Sequence, residues 1–196
     1  LKLGAPVSAE AQATHTCTIV DGVSQTVKND FAYPTACALR FQFAPSQDRP
    51  GVELLWYDGG MRPRIPREVE AHNPPLGPEG ILFVGDSGLI LAGFHGEEPK
   101  LFLQGKMQNL WETAGATADT RTRRDRTNPW VEACRGGEAS PGSFLEAAGI
   151  TDTVNLGTVA LRARTKVLFD SATGQITNKP EANRYLVRDY RPAWEL

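Results

Sequence analysis

The sequence predicts an α+β fold, with helices packed on one face of an open, mostly antiparallel sheet. Two observations indicate this class. Stretches that alternate apolar and polar residues dominate the first half of the chain, whereas helix-capping signals and apolar residues at helical spacing dominate the second half. Strands followed by helices are typical of α+β proteins, in which an antiparallel sheet is covered on one face only.

Period-two alternation predicts the first strands. Residues 7–20 alternate strictly between apolar or small residues and polar ones, which predicts one long strand with a wet face. Residues 35–43 repeat the pattern, and a turn-rich segment joins them to a third strand, Val52–Tyr57. Residues 166–169 form a short late strand. Two segments, 58–80 and 104–127, are irregular, and loops of that length are typically functional, partner-contacting or disordered.

A tight hairpin is predicted around Gly85-Asp86-Ser87-Gly88. The apolar strands Ile81–Val84 and Leu89–Ala92 flank these four turn-forming residues. Gly-Asp-Ser after a strand is also similar to the first block of SGNH hydrolases. Such a serine needs a histidine as its base, but no His follows His95 and no Asp-x-x-His occurs. The turn is therefore the main interpretation, and a hydrolase using Ser87 is a remote alternative.

Helix-capping residues predict the positions of the helices in the second half of the chain. Asn128 before Pro129 predicts a helix start, and Gly136-Gly137 ends that helix. Ser143 and Glu146 form a capping box before a longer helix. Its predicted core stripe comprises Leu145, Ala148, Gly149, Leu156, Val159, Ala160 and Ala163.

Two smaller features complete the helical half. Gly149 is a candidate break in the long helix. Asn178 and Glu181 predict the cap of a last short helix that runs through Leu186.

Composition predicts one globular domain, residues 1–196. Apolar residues make up 40% of the chain and charged residues 22%, and the net charge of −2 favours neither nucleic acid nor an anionic membrane as a partner. The basic run 121–126 is interpreted as a solvated loop. No apolar run approaches the ~20 residues that a membrane span needs. The chain opens without Met, so we expect a processed product or an excised domain.

The sequence predicts no metal or cofactor site in this chain. The three cysteines leave room for one disulfide and leave the compartment open between bacterial cytoplasm and periplasm. His15, Cys17 and Cys37 are too few for a zinc site, which takes about four ligands. Neither Gly-x-Gly-x-x-Gly nor a P-loop occurs, so we expect no NAD(P) binding and no catalytic residue here.

Five ordered strings carry a family resemblance. They are LLWYDGG at 54–60, GILFVGDSG at 80–88, WVEACRGG at 130–137, GTVALR at 157–162 and NKPEANRYLVRDYRPAWEL at 178–196. In this order they resemble the C-terminal domain of Gfo/Idh/MocA oxidoreductases, in the subgroup common in Bacteroidetes and Planctomycetes. The similarity spans nearly the whole chain.

The resemblance implies a fold, a cofactor and a substrate class. Such proteins pair an N-terminal Rossmann domain, which binds NAD or NADP, with an α+β domain that shapes a pocket for sugars and carries oligomer contacts. The Glu-Lys-Pro lysine and the acid–base histidine of the family would lie before Leu1. We therefore expect a substrate-binding and oligomerisation domain that is inactive alone.

The resemblance also implies where substrate binds. Many relatives have a histidine shortly before the Trp130 helix, whereas this chain has Arg126 and Asn128 there. Arg126, Asn128 and Trp130 are thus the candidate ligands of a sugar-like molecule.

The wet face of the sheet is the candidate oligomer surface. It is rich in Thr and in small polar groups, unlike an ordinary solvated surface, which carries more Lys and Glu. Its central residues are Thr14, Thr16, Thr18, Arg40 and Gln42. We expect a homo-oligomer formed through this face. The alternative is a binding or assembly module that uses the same face without chemistry.

Overall fold

The structure is a computed structural model that describes residues 1, 3–29, 31–110, 128–140 and 142–194. The chain folds into two compact units: residues 1–63 with 140–196 form unit 1, and residues 64–139 form unit 2. This division does not test the expectation of one family-type domain, which stays a prediction. No helix within the described ranges has both the length and the apolar character needed to cross a membrane.

Unit 1 contains a five-stranded sheet and a two-stranded ribbon. The sheet has the order β11-β10-β1-β4-β5, and β2 pairs with β3 in the ribbon. Their bounds are β1 Ser8–Ala13, β2 Cys17–Val20, β3 Val23–Thr26, β4 Cys37–Phe43, β5 Val52–Tyr57, β10 Val167–Asp170 and β11 Gln175–Ile176. Every strand pair that the structure describes is antiparallel, which confirms the α+β prediction of open antiparallel sheets with helices.

The described residues of unit 2 form a four-stranded meander and two short helices. The meander has the order β6-β7-β8-β9, with bounds β6 Ile81–Val84, β7 Leu89–Ala92, β8 Lys100–Leu103 and β9 Lys106–Asn109. The helices are α1 Arg67–Glu70 and α2 Pro129–Cys134. The predicted β6–β7 hairpin is confirmed, and its turn is closed by a hydrogen bond from Gly85 N to Gly88 O at 3.0 Å.

One long helix covers one face of the five-stranded sheet. α3 spans Phe144–Ala163, and its first turn is capped by Ser143 Oγ, which accepts from Glu146 N at 3.3 Å. A 3₁₀ helix, Pro180–Tyr185, packs beside it. Leu156, Val159 and Ala160 of α3 are buried in the core of unit 1. The core also contains Ala9, Phe41, Phe43, Val167, Ile176 and Ala182.

Several predictions about α3 and the last helix are wrong. Gly149 does not break α3; a Cβ there would lie 2.8 Å from the backbone of Gly4, so glycine allows the chain to approach closely. Leu145 is 88% exposed and outside the core. Asn178 does not cap the last helix, because its side chain instead accepts from Leu168 N at 2.8 Å and donates to Lys166 O at 2.9 Å.

The prediction of one long first strand over residues 7–20 is also wrong. The chain leaves the five-stranded sheet after Ala13 and re-enters β structure at Cys17 in the separate ribbon. Alternation of residue types continues across this break, because it reports an extended chain and not the sheet in which the chain pairs. The segment 104–127, predicted as irregular, contains β9, which pairs with β8.

Candidate functional site

The candidate site is the face of the five-stranded sheet opposite to α3, called here the open face. The register places three rows of residues across it from β1 through β4 to β5. The rows are Ser8, Gln42 and Glu53; Glu10, Arg40 and Leu55; and Gln12, Ala38 and Tyr57. Residues of the opposite parity, such as Ala9 and Phe41, lie in the core that α3 covers.

Arg40 lies at the centre of the open face. Its Nη2 contacts Glu53 Oε2 at 2.6 Å, its Nε donates to the same oxygen at 2.7 Å, and its Nη1 lies 3.9 Å from Glu10 Oε2. The hydrogen bond to Glu53 raises the pKa of Arg40 above its ordinary value. The guanidinium thus connects β1, β4 and β5 through side chains. Because all three groups are exposed, these pairs orient the face more than they stabilise the fold.

Gln42 organises the β10 side of the same face. Its Oε1 accepts from Ser8 Oγ at 3.0 Å and from Lys166 Nζ at 3.2 Å. Ser8 is buried, although it is one of the polar residues of the alternating segment 7–20, which were predicted to form a wet face. The reason is that β10 pairs beside β1, with Ser8 opposite Leu168.

Of the three threonines of the predicted oligomer face, Thr14 follows β1 directly, whereas Thr16 and Thr18 lie outside the five-stranded sheet. Thr14 Oγ1 accepts from Ala36 N at 3.2 Å, which extends the pairing of β1 with β4 beyond the strand end. Thr16 lies in the link after β1, and Thr18 pairs with Gln25 in the ribbon. Arg40 and Gln42 lie on the open face, and Thr14 and Thr16 line a cavity of unit 1.

Two of the three candidate sugar ligands are described, and both lie at the start of α2 in unit 2. Asn128 Oδ1 accepts from Trp130 N at 3.0 Å and so serves as the predicted helix cap. The Trp130 side chain is 65% exposed. Arg126 lies outside the described residues. Their role as sugar ligands stays a prediction.

Ser87 lies in the exposed turn between β6 and β7. Its hydroxyl has no hydrogen bond to a histidine among the residues that the structure describes. His72 instead packs on the Phe102 ring, with 5.8 Å between centroids, and His95 on Phe94 at 5.2 Å. Within the described residues, neither histidine is therefore placed as a general base for Ser87.

The cysteines are all free thiols, and Cys17 and Cys134 are exposed whereas Cys37 is buried. Over the described ranges, no three His, Cys, Asp or Glu side chains are placed to hold a metal ion. Cys37 belongs to a hydrogen-bonded cluster with Asp58 at one end of the β4–β5 pair.

Sequence reasoning missed Glu53 and Leu55 as members of the open face. The β4–β5 register, which depends on the length of the connecting loop, places them beside Gln42 and Arg40. The parity of residues within Val52–Tyr57 predicts two faces but does not say which one is covered.

Comparison of the chain with protein-family models, with curated proteins and with solved structures gave no match.

Proposed function

We propose that this chain is the substrate-binding and oligomerisation domain of an NAD(P)-dependent oxidoreductase that acts on sugars or sugar derivatives. Two lines of argument support the proposal. The first is the ordered set of five strings that resembles the C-terminal domain of Gfo/Idh/MocA proteins. The second is an antiparallel sheet that α3 covers on one face only.

The open face is the observation that carries the oligomer part. Leu55, 47% exposed, and Leu168, 41% exposed, flank the polar centre formed by Arg40 and its carboxylate partners. Apolar groups beside paired charges are the composition of a surface that associates specifically, since charges alone are readily solvated. A face-to-face homodimer with twofold symmetry is the simplest closed assembly.

The cofactor part is tested by titrating NADH and NADPH into two proteins. One is this chain, and the other is the whole protein encoded by the reading frame that contains it. We expect fluorescence changes only with the whole protein, because this chain has no glycine-rich turn to approach a pyrophosphate. Binding of NADH or NADPH by this chain alone would contradict the proposal. An upstream sequence without a Gly-rich βα unit and a Glu-Lys-Pro segment would also contradict it.

The oligomer part is tested by light scattering coupled to size exclusion. The double variant Gln12→Lys with Leu55→Lys places like charges together in a face-to-face pair, so we expect monomers where the unmutated chain gives dimers. Ile150→Lys with Val154→Lys is the matched control on exposed positions of α3, and should leave the dimer intact. The interface should bury more than about 1,000 Å². A monomeric unmutated chain at high concentration contradicts the proposal.

The same open face supports a second candidate, a non-catalytic binding or assembly module. The two candidates differ in one outcome. A dimeric chain whose reading frame encodes no cofactor domain is an assembly module, whereas a reading frame with the Rossmann unit favours the oxidoreductase.

A further inference from the structure

A cavity of about 700 Å³ opens in unit 1, where β1 ends near the C-terminal end of α3. Four segments line it: residues 13–16 after β1, residues 27–29 and 31–34 after β3, the last turns of α3, and the end of the 3₁₀ helix. Its volume falls in the range of pockets that bind small organic molecules, roughly 300–1,000 Å³.

Three arginines line the cavity. They are Arg162, Arg164 and Arg184, and none of the described lining residues is an aspartate or a glutamate. In the part of the chain that the structure describes, the three arginines form no ion pair. The Glu181 carboxylate lies 3.4 Å from Lys179 Nζ and interacts with Arg184 through charge without forming an ion pair with it.

Tyr185 holds two of these guanidinium groups in place. The Arg162 guanidinium carbon lies 4.9 Å from the Tyr185 ring centroid, and that of Arg184 lies 4.7 Å from the same centroid. Arg184 Nη2 also donates to the Tyr185 hydroxyl at 2.6 Å. The ring attracts both cations through its quadrupole, and such a contact uses none of the guanidinium N–H donors. Two guanidinium groups are thereby oriented at one wall before any ligand arrives.

The helix terminus alone does not account for this charge. Arg162 lies in the last turn of α3, and Arg164 is its cap residue in the left-handed conformation, with φ of 53°. Cations near a helix C-terminus are favourable, but the terminus carries the equivalent of only about half a negative charge. The positive charge of three arginines exceeds this partial negative charge severalfold. A negatively charged ligand in the cavity would be attracted by the excess positive charge.

Arginine pairs are suited to oxyanions in particular. The planar guanidinium presents parallel N–H donors that match the oxygens of a phosphate or a carboxylate. Thr14, Thr16, Thr158 and the exposed Tyr33 line another part of the cavity, and these uncharged residues suit the uncharged body of a small organic molecule. We propose that this cavity binds a small organic molecule through its phosphate or carboxylate group, with Arg162, Arg164 and Arg184 as the oxyanion ligands.

The test is isothermal titration calorimetry on the full chain with three probes of similar size: glucose 6-phosphate, gluconate and neutral glucose. We expect heat from at least one of the two anions and none from glucose at concentrations on the order of 10 mM. Binding of the phosphate alone identifies a phosphate site, and binding of gluconate alone identifies a carboxylate site. No binding of either anion overturns the proposal, as does equal binding of glucose.

Variants then place the bound anion in the cavity. Arg162→Gln with Arg184→Gln should weaken anion binding by about tenfold or more, since each removes a charge-assisted pair. If the double variant fails to fold, Arg162→Lys replaces it. This variant keeps the positive charge but loses the parallel N–H donors of the guanidinium, so we expect an intermediate loss of anion affinity. Arg135→Gln, an exposed arginine of unit 2, is the matched control. Equal affinity in the cavity variants and the control overturns the proposal. The readout involves neither nicotinamide nor dimerisation, so its failure is distinguishable from failure of the proposed function.

Discussion

The Cys37 thiol donates a hydrogen bond to Asp58 Oδ2 at 3.1 Å, while the backbone N–H of Cys37 donates to Asp58 Oδ1 at 2.6 Å. The backbone N–H of Asp58 returns a bond to Cys37 O at 3.1 Å, and Trp56 Nε1 donates to Asp58 Oδ2 at 3.3 Å. One carboxylate therefore joins the first residue of β4 to the residue that follows β5. The hydrogen bonds from Cys37 lower the pKa of Asp58 below its ordinary value.

Replacing this carboxylate should destabilise unit 1. Asp58→Ala leaves the Cys37 N–H without its partner in a buried setting, so we expect the free energy of unfolding to fall by about 1–3 kcal/mol. Urea unfolding followed by circular dichroism measures the change. Asp86→Ala, in the exposed β6–β7 turn, is the control and should change little. Equal stabilities of the two variants would show that the Asp58 cluster carries no net stabilisation.

The Cys37 thiol should make stability fall at alkaline pH. Burial, with the hydrogen bond to Asp58 and its negative charge as lesser causes, raises the pKa of Cys37 from 9.0 to about 11. The folded thiol keeps its proton while the unfolded thiol loses it, so the stabilising contribution is complete below pH 9 and is lost as pH rises towards about 11. Unfolding curves of the unmutated chain and of Cys37→Ala, compared across that interval, isolate this contribution. Parallel pH profiles for the two proteins would contradict the assignment.

Gly157 lets α3 approach the sheet closely. A Cβ at this position would lie 3.0 Å from Leu39 Cδ1 and 3.0 Å from Phe41 Cζ. At an exposed helix position, replacing glycine by alanine raises the free energy of unfolding by about 1 kcal/mol. Here we expect Gly157→Ala to lower the free energy of unfolding by roughly 1–3 kcal/mol, because the core must shift to admit the methyl group. The readout is the thermal unfolding midpoint. Ile150→Ala, at an exposed α3 position, is the control, and a stabilised Gly157→Ala would disprove the close packing.

Ser87 should be dispensable for any hydrolysis. Its turn brings no histidine to the hydroxyl among the described residues, so no base is placed to take the serine proton. We expect the unmutated chain and Ser87→Ala to give the same background rate with p-nitrophenyl acetate. Activity that disappears in Ser87→Ala alone would revive the hydrolase alternative.

The sequence by itself determined the elements whose signals are local. The turn-rich segment before it predicted β5 with its bounds, the Gly-Asp-Ser turn predicted the β6–β7 hairpin, and Asn128 and Ser143 predicted the starts of α2 and α3. In each case the deciding interaction lies within a few residues along the chain. A cap accepts from an N–H two or three residues away, and a hairpin turn brings adjacent strands together.

Only the tertiary structure decided which strands share a sheet and which side chains meet. Alternation through residue 20 could not show that the chain leaves the sheet after Ala13, because extended chain has the same period in either sheet. The meeting of Arg162 with Arg184 around Tyr185 was equally hidden, since β10 and β11 intervene before the 3₁₀ helix returns to α3. Such contacts form because burial of apolar area drives the helix and the strands together. The hydrophobic effect is not directional, so a local sequence pattern does not specify which distant side chains will meet.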